Sequence, residues 1–270
     1  MLEDQDHDRV QEFLRICLDR IAARGFDFRV DPDLSGWAAH MRAAPGISAV
    51  NPTFDPDVCR LDRSNGFWIK LVGDGGRIVA CHAARLFVTP DFRQEIVSER
   101  LWHDKGLRAL GRVELALPAG MEVLSGRVVH EGGAWVHPDH RARGYAATMV
   151  AVLRALALRQ WACDWFNGIC LEKIAKSGVV FNTYHFTRMV PCTTGWCPPV
   201  GRDAPLWMPY MSRAECLAQI ARWIDEERND ALDLAVFEDR HEKTVVRMPV
   251  VAGEDVVGGR RARQRNGVEV

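Results

Sequence analysis

No CxxC pair, no long apolar run and no excess of either charge mark this chain. Its 8 cysteines stand alone at 17, 59, 81, 163, 170, 192, 197 and 216. The nearest pair, Cys192 and Cys197, has no second pair to complete a zinc site, so no metal is expected. Lys and Arg number 35 against 36 Asp and Glu, a net charge of −1. No whole-protein field therefore draws the chain to nucleic acid or to an anionic membrane. The longest apolar run, residues 146–158, is interrupted by Arg154 and is too short to span a bilayer. The first residues, MLEDQDHD, are acidic and carry no signal-peptide pattern, which leads to the expectation of a cytoplasmic protein with reduced, mostly buried thiols. Only 3 tyrosines are present, which narrows the choice of phenolic acid.

What is there centres on residues 136–147, VHPDHRARGYAA. Before it, residues 127–135 (RVVHEGGAW) read as a strand whose paired glycines let something approach the backbone closely. After it, residues 148–159 (TMVAVLRALALR) read as a buried helix. Strand, turn with arginine and glycine, then helix is the geometry that holds a phosphate on backbone N–H groups. The turn has neither the GxGxxG of a dinucleotide fold nor the GK[ST] of a Walker loop. Pro138 cannot donate to a ladder, so the strand is expected to end or splay at Val136–His137 and leave Ala134, Trp135 and Val136 open to a ligand that pairs like an extra strand.

Around this core, Val10, Phe13, Leu14, Cys17, Leu18 and Ile21 follow helical spacing, with Gly25 as a stop. Residues 26–30 alternate as a short strand, 34–42 suggest a helix and 48–57 a loop. Residues 67–72 and 78–87 form a strand pair joined by GDGGR. Residues 88–124 are irregular, with a helix expected near 92–102. Beyond the centre, 161–170 read as a buried strand, 171–176 as a short helix, 179–190 as a strand and 191–209 as loop. Residues 212–227 read as an amphipathic helix capped by Ser212. Residues 232–237 and 244–251 read as a last strand pair. The expectation is one α/β (α+β) domain over residues 1–251, followed by a disordered tail at 252–270 that carries the basic stretch 260–265. Its sheet is mixed and mostly antiparallel, with one parallel pair at the central turn, helices on both faces, and a C-terminal helix and strand extension over 191–251.

Val136-x-Pro138-x-x-Arg141-x-Arg143-Gly144-Tyr145-Ala146 resembles the acyl-CoA-binding motif of the GNAT superfamily of N-acyltransferases. That signature is Gln or Arg, two residues, Gly, one residue, then Gly or Ala, between the fourth strand and the third helix. The resemblance covers about residues 67–190. It implies a GNAT-like fold, acetyl-CoA or another acyl-CoA as co-substrate, and direct attack on the thioester by an amine of a small molecule or a protein. Homodimerisation stays open. The resemblance implies that Ala134, Trp135, Val136, Arg141, Ala142, Arg143, Gly144, Tyr145 and Ala146 hold the cofactor. The chain departs from the family in its long 88–124 connection, in the absence of Tyr from 171–178, and in Asn167, which stands earlier than the family's Asn. The related autoinducer and acyl-amino-acid synthases tend to carry Glu-x-Ser-Arg on the strand before the loop, where this chain has His-Glu-Gly-Gly-Ala-Trp.

An attacking ammonium must first lose a proton, and a general base supplies ~10²–10⁴-fold. His130 and Glu131 lie on the strand that faces the acceptor in that family. Strict alternation places His130 with Ala134 and Val136, and Glu131 with Trp135; His130 is preferred because imidazole titrates near neutrality. Tyr184 is the best candidate acid for the leaving thiolate among the tyrosines, although a strand Tyr beside Phe181 and Phe186 is more often plain core. A strand N–H near Trp135 or Val136 would hold the oxyanion. Transfer of acetyl comes first. The alternatives are a longer acyl chain, and a module that binds CoA or a partner without catalysis.

Overall fold

The computed structural model describes residues 2–105 and 113–229. The expected strand pair at 232–237 and 244–251, and the tail at 252–270, lie outside the described residues. The elements run α1 (Asp4–Ala23), β1 (Asp27–Asp31), α2 (Leu34–Ala43), β2 (Gly66–Val72), β3 (Ile78–Thr89), α3 (Phe92–Val97), β4 (Val113–Leu115) and β5 (Gly126–Val136). Then come α4 (Tyr145–Trp161), β6 (Trp165–Asn167), β7 (Cys170–Leu171), α5 (Glu172–Lys176), α6 (Val179–Asn182), β8 (Arg188–Cys197), β9 (Arg202–Asp203), β10 (Leu206–Ser212) and α7 (Arg213–Asn229).

The described strands form one sheet in the order β1-β2-β3-β5-β6-β10-β8-β4, with β7 added on β10 and β9 on β8. Every pair is antiparallel except β5–β6, the parallel pair beside the central turn. The β2–β3 hairpin closes as its glycines require, with Gly75 at φ 69° and Gly76 at φ 76°. On one face of the sheet α1, α4 and α7 bury Phe13, Ile21, Val152, Leu153, Ile220 and Ile224 against Phe67, Ile69, Ala84 and Val129. On the other face, α2 and Phe54 cover Trp68, Ala83 and Trp135, while α3 and Trp102 cover Phe87, Val128 and Met208. α4 is buried at every position from Met149 to Leu158 because it is apolar on all sides. α7 starts with a capping box: Glu215 accepts from the Ser212 N–H at 2.7 Å while the Glu215 N–H donates to Ser212 Oγ at 3.3 Å.

Several expectations change. The expected strand over 161–170 is broken up: α4 continues through Trp161, Trp165–Asn167 pairs as β6, and Cys170 belongs to the separate strand β7. Residues 179–182 are a helical turn rather than a strand, entered through Gly178 at φ 78° and anchored by buried Val180. Residues 191–209, read as loop, contain β8 and β10. Pro209 faces the break between β6 and β7, and Pro191 stands opposite Trp207, beside the register shift between Leu206 and Trp207. Among the described residues no helix is long and apolar enough to cross a membrane.

Candidate active site

β5 pairs with β3 along its whole length, ending at Val136 opposite Ala80, and His137 N–H still donates to Val79 O at 2.8 Å. The parallel pairing with β6 covers only Val128, Val129 and His130, the last opposite Asn167. At Gly168 the chain turns away, donating its N–H to Pro209 O. β5 and β6 therefore part at His130, well before Pro138, while β5 itself ends at Val136, two residues before Pro138. Residues 131–136 keep β3 on one side and, among the described residues, have no strand on the other.

A bulge reverses the expected parity. Cys81 faces Trp135 and Ala83 faces Gly132, so two steps on β3 span three on β5. Gly133 takes φ +60° there, and a Cβ on it would stand 2.2 Å from the Trp37 ring. Alternation restarts after the extra residue. His130 shares its face with Trp135, under Phe54 and Phe92, whereas Glu131 shares its face with Val136, under α4. The pairing of His130 with Val136 and of Glu131 with Trp135 is thereby overturned.

His130 is 2% exposed and lies between the rings of Phe54 and Phe92, both nearly parallel to it. Its Nδ1 is 2.6 Å from Asn167 Oδ1. An amide oxygen only accepts, so Nδ1 carries the proton of the neutral ring and Nε2 keeps its lone pair. Burial pushes the imidazole down to about 4; the Asn167 bond opposes this and the Arg85 guanidinium adds to it. Asn167 is completely buried. Its role was not legible from motif spacing, but the strand register opposite His130 identifies it.

On the α4 face, Arg154 Nε donates to both Glu131 carboxylate oxygens at 3.1 Å, and Nη2 adds a third bond. Burial raises the Glu131 carboxyl from its ordinary value, and Arg154 opposes that. Tyr184 stands on the same face in the segment after α6. Its hydroxyl is raised by burial first, then by Glu131 and Cys170, so it lies within electrostatic reach of both.

The turn after β5 is open to solvent. Residues 138–140 make one 3-10 turn, Ala142 takes φ 59° and Gly144 φ 76°, and α4 begins without a side-chain cap. Among the described residues no backbone carbonyl accepts from Ala142, Arg143, Gly144 or Tyr145. A Cβ on Gly144 would meet nothing within 4 Å. Arg141 Nε ties back to Val136 O at 3.2 Å, and Arg24 donates to Arg143 O. Tyr145 packs edge-on against Phe26. His140 is held below its ordinary value by desolvation and then by Arg143 and Arg77, a sign of the positive field over the turn. Where β5 and β6 part, a cavity of about 160 Å³ opens. It is bounded by His130, Asn51, Trp102, Cys170, Leu171 and Leu206, among others.

No family model and no curated protein matches the chain. Among solved structures, Arabidopsis thaliana NAA60 with a bisubstrate analogue is 14% identical, TM-score 0.43, over 69% of this chain and 97% of that one. A mutant spermidine N-acetyltransferase SpeG from Vibrio cholerae is 10% identical, TM-score 0.41, over 73% and 98%. The CoA-dependent acyl-homoserine lactone synthase BjaI is 15% identical, TM-score 0.35, over 61% and 66%. Likeness at this level leaves the activity to be read from the chain's own geometry.

Proposed function

We propose that the chain is an acyl-CoA-dependent N-acyltransferase. One observation carries the reading: the parallel pair parts at His130, and the edge of β5 that it frees leads directly into the uncapped N-terminus of α4. The pyrophosphate sits on the N–H groups of Ala142, Arg143, Gly144, Tyr145 and Ala146, with Arg141 and Arg143 adding charge. The pantetheine arm lies along Ala134, Trp135 and Val136 and pairs with their backbone as a strand would. This brings the thioester to the parting of the strands.

There the amine nitrogen attacks the carbonyl carbon. A free N–H of the β5 edge, at Trp135 or Val136, stabilises the oxyanion. Because His130 is depressed to about 4 it is neutral at physiological pH, and its Nε2 accepts the proton from the attacking nitrogen, directly or through one water. The C–S bond then breaks, and the thiolate takes a proton for which Tyr184 is the candidate donor. Glu131, held by Arg154, is not the base in this scheme. Cys170 at the cavity is pushed up to about 11 by burial and stays a thiol, which favours direct transfer over an acyl-cysteine intermediate.

The test is release of free CoA thiol from acyl-CoA over a panel of amines, beside calorimetric binding of CoA to wild type and Gly144→Asp. Binding that Gly144→Asp abolishes supports the loop assignment; equal binding by both proteins defeats it. Wild type that binds CoA and turns over no amine would favour a binding module.

A further inference from the structure

The geometry points to the cavity beside His130 as a receptor for the donor's acyl chain, sized for about four to six carbons rather than for acetyl. This rests on the acyl-CoA reading and adds the chemical class of the donor.

The cavity lies where an acyl group must go. His130 of β5 forms one wall, and Ile169, Cys170 and Leu171, just past the point where β6 leaves β5, form another. A thioester at the parting of the strands thus points its acyl carbon into this space. The remaining walls come from Ala49 and Asn51, from Trp102, and from the β8–β10 region.

The chemistry of the walls selects the occupant. None of the lining residues is Asp, Glu, Lys or Arg. A protonated amine or a carboxylate acceptor would enter without a counter-charge, which costs free energy to the extent that the walls take it out of water. An alkyl chain meets Trp102, Ile169, Leu171 and Leu206 and needs no polar partner. The two cysteines on the wall, Cys170 and Cys197, are both raised by burial and act as small apolar groups.

The size sets the length. An apolar cavity of ~150 Å³ admits a benzene-sized guest, and this one measures about 160 Å³. Acetyl leaves most of it empty, butyryl to hexanoyl fills it, and decanoyl exceeds it.

The experiment is calorimetric titration of the full chain with CoA and with acetyl-, butyryl-, hexanoyl- and decanoyl-CoA. Affinity should rise about fourfold per methylene up to hexanoyl, equivalent to ~0.8 kcal/mol each, and then level or fall. Leu171→Trp and Ala49→Trp enter the cavity from its exposed rim, and each should bring hexanoyl-CoA down toward the acetyl-CoA value; far-UV circular dichroism confirms that they fold. CoA binding with no dependence on chain length, or hexanoyl affinity untouched by both tryptophans, would overturn the acyl-pocket assignment alone. Decanoyl-CoA binding tighter than hexanoyl-CoA would overturn the size argument. Failure of every CoA species, CoA included, would instead overturn the acyl-CoA reading.

Discussion

Glu131→Gln separates a catalytic carboxylate from a structural one. The side chains of Glu131 and Arg154 are 3% and 1% exposed. Arg154 also lies over the Phe186 ring at 4.2 Å, and its Nη1 already has no partner. Glutamine keeps the shape and removes the charge, so a guanidinium is left buried without its counter-ion. Breaking one side of a buried pair costs about 3–5 kcal/mol. In a unit of this size each kcal/mol moves Tm by about 2–4 °C, so the midpoint should fall by about 6–20 °C. The double variant Glu131→Leu with Arg154→Met removes both charges and should recover most of the loss, since well-packed apolar replacements of buried pairs are often neutral or better. The assay is thermal and urea unfolding of the two single variants and the double, read as a cycle, beside thiol release. A Glu131→Gln protein whose Tm stays within about 2 °C of wild type while turnover vanishes would refute the reasoning and make Glu131 the base.

Four further outcomes follow from the same geometry. His82 and His130 are depressed by burial from 6.5 to about 3 and about 4, His82 also by Arg154 and His130, and His130 also by Arg85. The unfolded chain therefore takes up these protons first. The stability they supply is complete above about pH 6.5 and shrinks as pH falls toward 4, by about 4 kcal/mol at pH 5 for the two together; urea midpoints flat between pH 8 and 5 would contradict both burials. Gly133→Ala places a Cβ 2.2 Å from the Trp37 ring at φ +60° and should destabilise by several kcal/mol, measured by urea unfolding; a neutral result would remove the bulge. His130→Ala should lower turnover by about 10²–10⁴-fold. Asn167→Leu should also slow it and move the acid limb of the pH profile to lower pH, because the Asn167 bond raises the His130 pKa; an unmoved limb would deny Asn167 its positioning role.

Where local pattern and tertiary role agree, the sequence was readable. The apolar stripe of α1, the glycine turn of the β2–β3 hairpin and the all-round apolar α4 each stand where periodicity puts them. Reading failed where tertiary contacts decide. Prolines marked β8 and β10 as loop, yet Pro209 stands at the break between β6 and β7 and Pro191 beside the register shift at Leu206–Trp207. A β-branched, aromatic run at 179–184 made a helical turn because burial of Val180 outweighed a weak local preference.

The most consequential misreading is a single residue. Alternation assigns faces by counting, and one extra residue on β5 exchanges the faces of everything beyond it. The sequence carried a signal for that residue in the pair Gly132–Gly133, since glycine inside a strand marks a bulge or a close approach. Both occur here, because the Trp37 indole occupies the space where a Cβ on Gly133 would stand. Without the bulge, His130 and Val136 would share a face. With it, His130 and Trp135 look toward α2, α3 and the cavity, while Glu131 is left to Arg154 under α4. The choice between imidazole and carboxylate as base therefore follows from the bulge more directly than from either group's intrinsic pKa.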